Sequence, residues 1–309
     1  MLTYCKFENG KLVYVDGLQE CEVVQAVAPT AVEIDALVGS LGIPMEFLTA
    51  ATDRDERPRF EAEEGHKLLV IRVPHRDAAS ATPYVTLAFA IILTPDRLIT
   101  VCAEDTALWG ELLSSRTRIP SPRDPLPFLL TLFLHVARQY LSFLNSIRHE
   151  SEEVEKAIHG SMKNQTLVRM LNLGKCLVYF TTSLRANEPM WDRMRRIAGR
   201  DLTEEEQDLL DDVRVEFGQA RDLADIYSNI LNGMMDAFAS IISNNVSTVM
   251  KLLASITIVL MLPTLVTSTL GMNVRLPFGE SPYAFWITIS ISMVLSTIAV
   301  IAFLRMKIF

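Results

Sequence analysis

Three hydrophobic patterns follow one another along this 309-residue chain. Up to about residue 125, short runs rich in β-branched residues alternate with short helix-period segments. Residues 68–73 (LLVIRV), 84–93 (YVTLAFAIIL) and 97–102 (RLITVC) read as strands, bounded by Gly65, Pro74, Pro95 and Asp96. Residues 29–41 and 44–51 read as helices, each with a proline in its first turn. The stretch 119–127 (IPSPRDPLP) then predicts a break in which no regular element persists. Beyond it, apolar positions recur three and four apart over 128–159, 166–198 and from Thr203 onward, the period of amphipathic helices.

The last of these helices carries a strict heptad. Leu210, Phe217, Ala224, Leu231 and Phe238 form one series; Val213, Ala220, Tyr227, Met234 and Ile241 form the other. Such a repeat holds one stripe against neighbouring helices over many turns. No proline interrupts 203–262, so this helix is expected to run unbroken as a stalk into the next segment, on the order of 100 Å at 1.5 Å per residue.

The third pattern is the absence of charge. Residues 252–274 and 281–304 contain no Asp, Glu, Lys or Arg, and each run exceeds the roughly 20 apolar residues that cross a hydrocarbon core about 30 Å thick. The two form a helical hairpin with a connection of a few residues, so both flanks lie on one side of the bilayer. Lys251, Arg305 and Lys307 flank the spans, whereas the connection holds one base and one acid, Arg275 and Glu280. The positive-inside bias therefore places both termini in the cytoplasm.

Half of the residues are apolar and the mean hydropathy is +0.24, high for a soluble protein; without the final hairpin the chain reads as an ordinary cytosolic one. Residues 1–14 include Lys6, Glu8 and Lys11 and no apolar signal core. Cys5, Cys21, Cys102 and Cys176 lack metal or redox spacing and read as reduced, buried thiols. His66, His75, His135, His149 and His159 show no ligand spacing either. A net charge of −8 argues against nucleic acid as a partner. No phosphate-binding glycine loop, nucleophile elbow or HExxH sequence points to an enzyme or an ATPase.

Seven-residue steps also define a second, partly polar stripe on this helix. It runs through Asp236, Ser243, Met250, Thr257 and Thr264, interleaved with Ser240, Ser247, Ala254, Met261 and Ser268, and all ten share one face. Ser and Thr in a membrane helix also bond back to the preceding turn or pack between helices, so simple packing is the alternative to a water-lined face. One helix cannot enclose a channel; a wet stripe asks for several copies around an axis. Pro263 removes one backbone donor and is expected to kink the span.

The tripeptide Gly271-Met272-Asn273, between two C-terminal spans and after long charged helices, resembles the CorA family of divalent-cation channels. The most specific part is 243–273, SNNVSTVMKLLASITIVLMLPTLVTSTLGMN, and the resemblance covers essentially the whole chain. It implies an α+β cytosolic domain (1–125), a long-helix bundle and stalk (126–250) and a transmembrane domain (251–309). The last comprises a first span at about 251–270, an external loop at 271–282, a second span at about 283–304 and a short cytosolic tail. It further implies a homopentameric funnel in a cell membrane that admits Mg2+, with Co2+ and Ni2+ as further candidates, without a cofactor of its own. Its partners would be divalent cations, lipid and copies of itself.

By the same resemblance, Gly271, Met272 and Asn273 form the selectivity motif at the outer mouth. An Asn273 carbonyl ring would accept hydrogen bonds from the water shell of Mg2+, an ion that dehydrates reluctantly. Gly271 would let the chain leave the helix, as glycine does at a C-terminus. Counting back from the motif brings the family's inner funnel acid onto Asp236 and its regulatory divalent site between subunits onto Asp212. This chain departs from the family at Val274 and at Arg275, a cation where an acid is usual, with Glu280 as a displaced acidic residue. The acidic segment Asp53, Asp55 and Glu56 before Arg57-Pro58-Arg59 resembles a recurrent family segment and reads as a solvated loop. Two other readings stay open: a zinc carrier on the same scaffold, and a membrane-anchored scaffold or sensor without transport.

Overall fold

Two tight turns account for strands that the hydrophobic runs alone do not announce. Asn9-Gly10 (φ 53° and 81°) joins β1 (Leu2–Glu8) to β2 (Lys11–Val15), and Glu64-Gly65 (φ 50° and 84°) joins β4 (Arg59–Glu63) to β5 (His66–Arg76). Positive φ at both central residues matches the twist of a two-residue hairpin, and Gly at the second position adopts it without steric cost. With β3 (Val23–Val27), β6 (Tyr84–Leu93) and β7 (Leu98–Cys102) they form a seven-stranded sheet in the order β2-β1-β3-β7-β6-β5-β4. Only the β3–β7 pair is parallel. The computed structural model describes residues 1–106, 108–110, 119–160, 164–272 and 281–306.

The central strands β3, β5, β6 and β7 are largely apolar on both faces because both faces of the sheet are covered. On one face, Leu68, Val70, Ala88, Ala90, Ile92, Ile99 and Val101 pack with Leu37, Phe47 and Leu48 of α1 (Ala31–Leu41) and α2 (Met45–Thr52). Thr30 and Glu33 cap the start of α1 reciprocally, and Gly42 at φ 64° ends it. The other face carries α3 (Pro125–Gly160) and α4 (Asn164–Trp191). α3 begins inside the proline-rich stretch that the sequence reading took for a break. Pro125 stands at its first position, where a missing N–H costs nothing. The helix expected over 166–198 is interrupted instead, after Trp191, and resumes as α5 (Met194–Ala198).

Asn187 joins α4 to the sheet. Its side-chain oxygen accepts from Arg72 N (2.8 Å) and its Nδ2 donates to Arg72 O (2.8 Å), to which Tyr140 of α3 also donates (3.0 Å). Pairing with β4 stops at Val70, so the amide of Asn187 takes the place of a strand neighbour for β5. Tyr140 is edge-on to Phe180 (5.1 Å), and Phe217 meets Trp191 (4.6 Å), so the heptad seam enters one aromatic cluster with α3 and α4.

α6 (Glu204–Leu270) is a single helix of 67 residues, and α7 (Ala284–Arg305) follows the loop. Thr203 and Glu206 cap its start, and Arg200 grips Glu206 through two hydrogen bonds of 2.6 and 2.7 Å. That contact holds the Glu206 carboxyl down to about 2. Of the two heptad series, Leu210, Phe217, Ala224, Leu231 and Phe238 are buried throughout. The other fades from buried Val213 and Ala220, through half-buried Tyr227 and Met234, to Ile241 at 43% exposed.

Contacts divide the chain into two compact units, Met1–Gly233 and Met234–Phe309. The boundary drawn at 125 from the sequence falls within the first, where α3 packs on β5. Among the described residues three helices are long and apolar enough to cross a membrane, but 56% of the most apolar window in α3 is buried within the chain, against 6% in α6 and α7. α3 is therefore a core helix, and α6 and α7 supply the spans.

Candidate functional site

The ten stripe residues lie in the second unit, and every one of them is exposed: Asp236, Ser240, Ser243, Ser247, Met250, Ala254, Thr257, Met261, Thr264 and Ser268. With 3.6 residues per turn they line one side of α6 over its C-terminal half. Sheltered positions fall on the opposite side: Ser255 is 3% exposed, and Val259, Leu262, Pro263, Val266 and Leu270 are half-buried. α7 shelters a matching row, Thr288, Ser292 and Ser296, spaced by one turn. Ser255 donates to Lys251 O (2.7 Å) and Ser292 to Thr288 O (2.9 Å), so these two buried hydroxyls are satisfied within their own helices.

Met250 and Met261 stand on the stripe at 60% and 63% exposed, apolar side chains among hydroxyls. α6 remains helical through Pro263 to Leu270. Gly271 closes it by donating to Thr267 O (2.9 Å), and here the structure alters the expected reason for glycine. Gly271 is not among the glycines with positive φ. A Cβ at that position would stand 3.0 Å from the Thr267 carbonyl oxygen, a tight contact that glycine avoids. Met272 is exposed beside it. Asn273, Arg275 and Glu280 lie outside the described residues.

Asp212 sits in the first unit on an exposed face of α6, and its carboxylate has no hydrogen bond or ion pair among the described residues. Neighbouring Asp211 is engaged by Arg214 (3.2 Å) and Gln207 (3.1 Å). Among the described residues of one chain, no group of three His, Cys, Asp or Glu side chains could hold a metal ion.

The acidic loop before β4 is anchored as well as solvated. Arg72 donates to Arg54 O (2.5 Å), Thr86 O (2.7 Å) and Thr86 Oγ1 (3.0 Å), Glu56 pairs with Arg59, and Arg54 pairs with Glu104 (2.8 Å). Sequence reasoning missed this anchor because Arg72 reads as one polar residue in an apolar strand. The four cysteines are buried and free; burial pushes the thiols of Cys5, Cys102 and Cys176 up to about 11. At neutral pH they are neutral packing residues and not nucleophiles.

A family model described as CorA-like Mg2+ transporter protein matches residues 24–306. The cobalt/magnesium transport protein CorA of Methanocaldococcus jannaschii is 26% identical over 305 residues, covering 97% of this chain and 92% of that one. The complete structure of the CorA magnesium transporter from the same organism superposes with a TM-score of 0.84 at 24% identity, covering 99% of this chain and 98% of that one. The cytoplasmic domain of ZntB from Vibrio parahaemolyticus matches at a TM-score of 0.61 and 11% identity, covering 78% of this chain and 98% of its own, a likeness of fold alone. This chain is a membrane protein of the CorA-like Mg2+ transporter family.

Proposed function

We propose that this chain is one subunit of a homopentameric channel through which Mg2+ enters the cytosol with much of its water shell. Co2+ and Ni2+ are further candidates. The observation that carries the reading is the unbroken exposed stripe from Asp236 to Ser268, opposite the side that α6 shelters within its own chain. A face of hydroxyls, methionines and one acid gains nothing from lipid, and it suits a water-filled axis ringed by copies of the same helix. Hydroxyl layers would be the wet stations, and the Met250 and Met261 rings the apolar constrictions that close by dewetting. The membrane potential contributes about 2.3 kcal/mol per charge per 100 mV, roughly twice that for a divalent ion, so inward flow needs no ATP.

At the outer mouth Asn273 captures the ion by accepting hydrogen bonds from its waters, without the fixed charge that would hold it too tightly. At the inner end Asp236 adds a ring of negative charge. Cytosolic Mg2+ bridging Asp212 to a neighbouring subunit favours the closed state and so limits uptake, because a ligand shifts a gating equilibrium toward the state it binds better. Both termini face the cytoplasm.

Ion-resolved flux into proteoliposomes holding the purified protein tests the reading. Mg2+ uptake driven by an inside-negative potential is the expected result. Zn2+ uptake in the absence of Mg2+ uptake moves the chain to the zinc-carrier reading, and no divalent flux at all leaves a membrane-anchored scaffold.

A further inference from the structure

The acidic segment before β4 has no part in the proposed transport. With α4 it bounds a groove of about 380 Å3, beyond the point where the pairing of β5 with β4 ends. Arg57, Pro58 and Arg72 line it from the loop and β5, and Val178, Tyr179 and Ala186 line it from α4. Val178 is 58% exposed and Tyr179 46%, so the apolar side is uncovered within the chain. The volume falls in the range of small-molecule sites, roughly 300–1,000 Å3.

Arg72 is the sheltered cation of the groove, its side chain 13% exposed. A guanidinium withdrawn from water is ordinarily held by a carboxylate. Here its hydrogen bonds go to uncharged acceptors: Arg54 O (2.5 Å), Thr86 O (2.7 Å) and Thr86 Oγ1 (3.0 Å). The carboxylate that faces it, Asp55, stands 3.7 Å away, too far for a hydrogen bond, and is itself 94% exposed. Nearby acids are engaged elsewhere, Glu56 by Arg59 and Glu104 by Arg54. Arg57 brings a second, exposed guanidinium whose side chain has no hydrogen bond or ion pair among the described residues.

We propose that this groove binds a small organic monocarboxylate. Its carboxylate displaces Asp55 at Arg72 and reaches Arg57, while its apolar body lies on Val178 and Tyr179. The planar fork of a guanidinium matches a carboxylate, and a doubly charged head group is disfavoured by Asp55 and Glu56 on the same loop. A bare anion would leave the apolar side wet, whereas a hydrocarbon body gains by covering it. Every residue named belongs to the first unit, so the inference stands or falls apart from the pore reading.

The test uses full-length protein in lipid nanodiscs, with empty nanodiscs as the blank and oligomer size checked for each variant. The probe is hydrocinnamate, titrated by saturation-transfer NMR beside its uncharged analogue hydrocinnamyl alcohol and the body-less propanoate. Hydrocinnamate is expected to bind saturably with a Kd below about 5 mM, and each control about tenfold more weakly. Arg72 is left in place because it also anchors the loop. Asp55→Asn removes the competing carboxylate and should tighten binding about two- to fivefold, whereas Arg57→Gln should weaken it by a similar factor. Thr182 lines the groove and is exposed, so Thr182→Trp should fill the groove and abolish binding with the unfolding midpoint unchanged. No saturable binding, equal binding of the alcohol, or unchanged affinity in all three variants overturns the inference. A change of oligomer size in the Thr182→Trp protein also overturns it, since the groove is then a contact between copies of the chain.

Discussion

The two units of this chain handle apolar side chains in opposite ways. In Met1–Gly233 the large ones are inside: Leu68, Ile71, Phe89, Phe133, Tyr140, Phe180 and Phe217 are buried by neighbours from the same chain. In Met234–Phe309 most are outside: Val249, Leu253, Leu260, Leu265, Met293 and Val294 are exposed on α6 and α7, and beyond Phe238 the residues buried among those described are two serines, Ser255 and Ser292. In water, only the first arrangement is stable. The second is complete when lipid covers the apolar flanks and other copies cover the stripe, because with no hydrophobic drive between spans, small residues and hydrogen bonds set where helices meet. One unit carries its solvent-excluded core with it; the other borrows its surroundings.

That difference separates the expected effects of substitution: changes on the stripe and mouth of the second unit alter conduction and spare folding, and changes in the buried core of the first do the reverse. The largest effect is expected at the mouth. Asn273→Ala should abolish or severely reduce Mg2+ uptake while the oligomer still assembles, measured by flux and by size on the same preparation. Full uptake by that protein would defeat the capture mechanism.

In the first unit, Asn187→Ala strands both the N–H and one acceptor position of Arg72 in a buried site. It should destabilise the protein by about 2–4 kcal/mol, read as a fall in the unfolding midpoint of detergent-solubilised chain. An unchanged midpoint would show that the bridge between α4 and β5 is dispensable. Glu206→Gln should cost about 1–3 kcal/mol at neutral pH through the lost ion pair with Arg200. The folded Glu206 titrates at about 2, below the ordinary value of 4.5. Its contribution is thus fully present above pH 4.5 and lost as the pH falls from there toward 2. Parent and variant stabilities should converge over that window; a constant gap would contradict the assignment.

Smaller effects are expected from exposed charge. Arg275→Glu should raise uptake at low external Mg2+, and less so at high ionic strength, where such charges are screened. Asp212→Ala should leave conductance intact and blunt inhibition by cytosolic Mg2+. Unchanged inhibition would make Asp212 a solvated helix residue.

Local periodicity was legible in the sequence; contacts to distant backbone were not. The polar stripe and heptad seam of α6 could be read residue by residue because both repeat within a single helix. β1, β2 and β4 escaped notice because they are short and half-exposed, although Asn9-Gly10 and Glu64-Gly65 carry the local hairpin signal. α3 was begun too late because its prolines were read as breakers when Pro125 is an initiator. Nothing in the sequence marks Asn187, whose partner is a main-chain segment 115 residues away. At Gly271 the sequence suggests a left-handed exit from the helix, whereas the backbone there has no positive φ and a Cβ would instead crowd the Thr267 carbonyl.

The central claim is that one face of α6 in the second unit lines water and the opposite face does not. Single cysteines at Thr257, Thr264 and Ser268, against Val259 and Val266 on the sheltered side, test it in the full-length protein in liposomes. The native thiols add little background, since burial raises those of Cys5, Cys102 and Cys176 to about 11. The account predicts fast labelling by charged, water-borne thiol reagents at the three stripe positions, with Mg2+ flux falling in step, and slow labelling without block at the other two. Equal labelling on both faces, or labelled stripe cysteines that leave Mg2+ flux untouched, would contradict it.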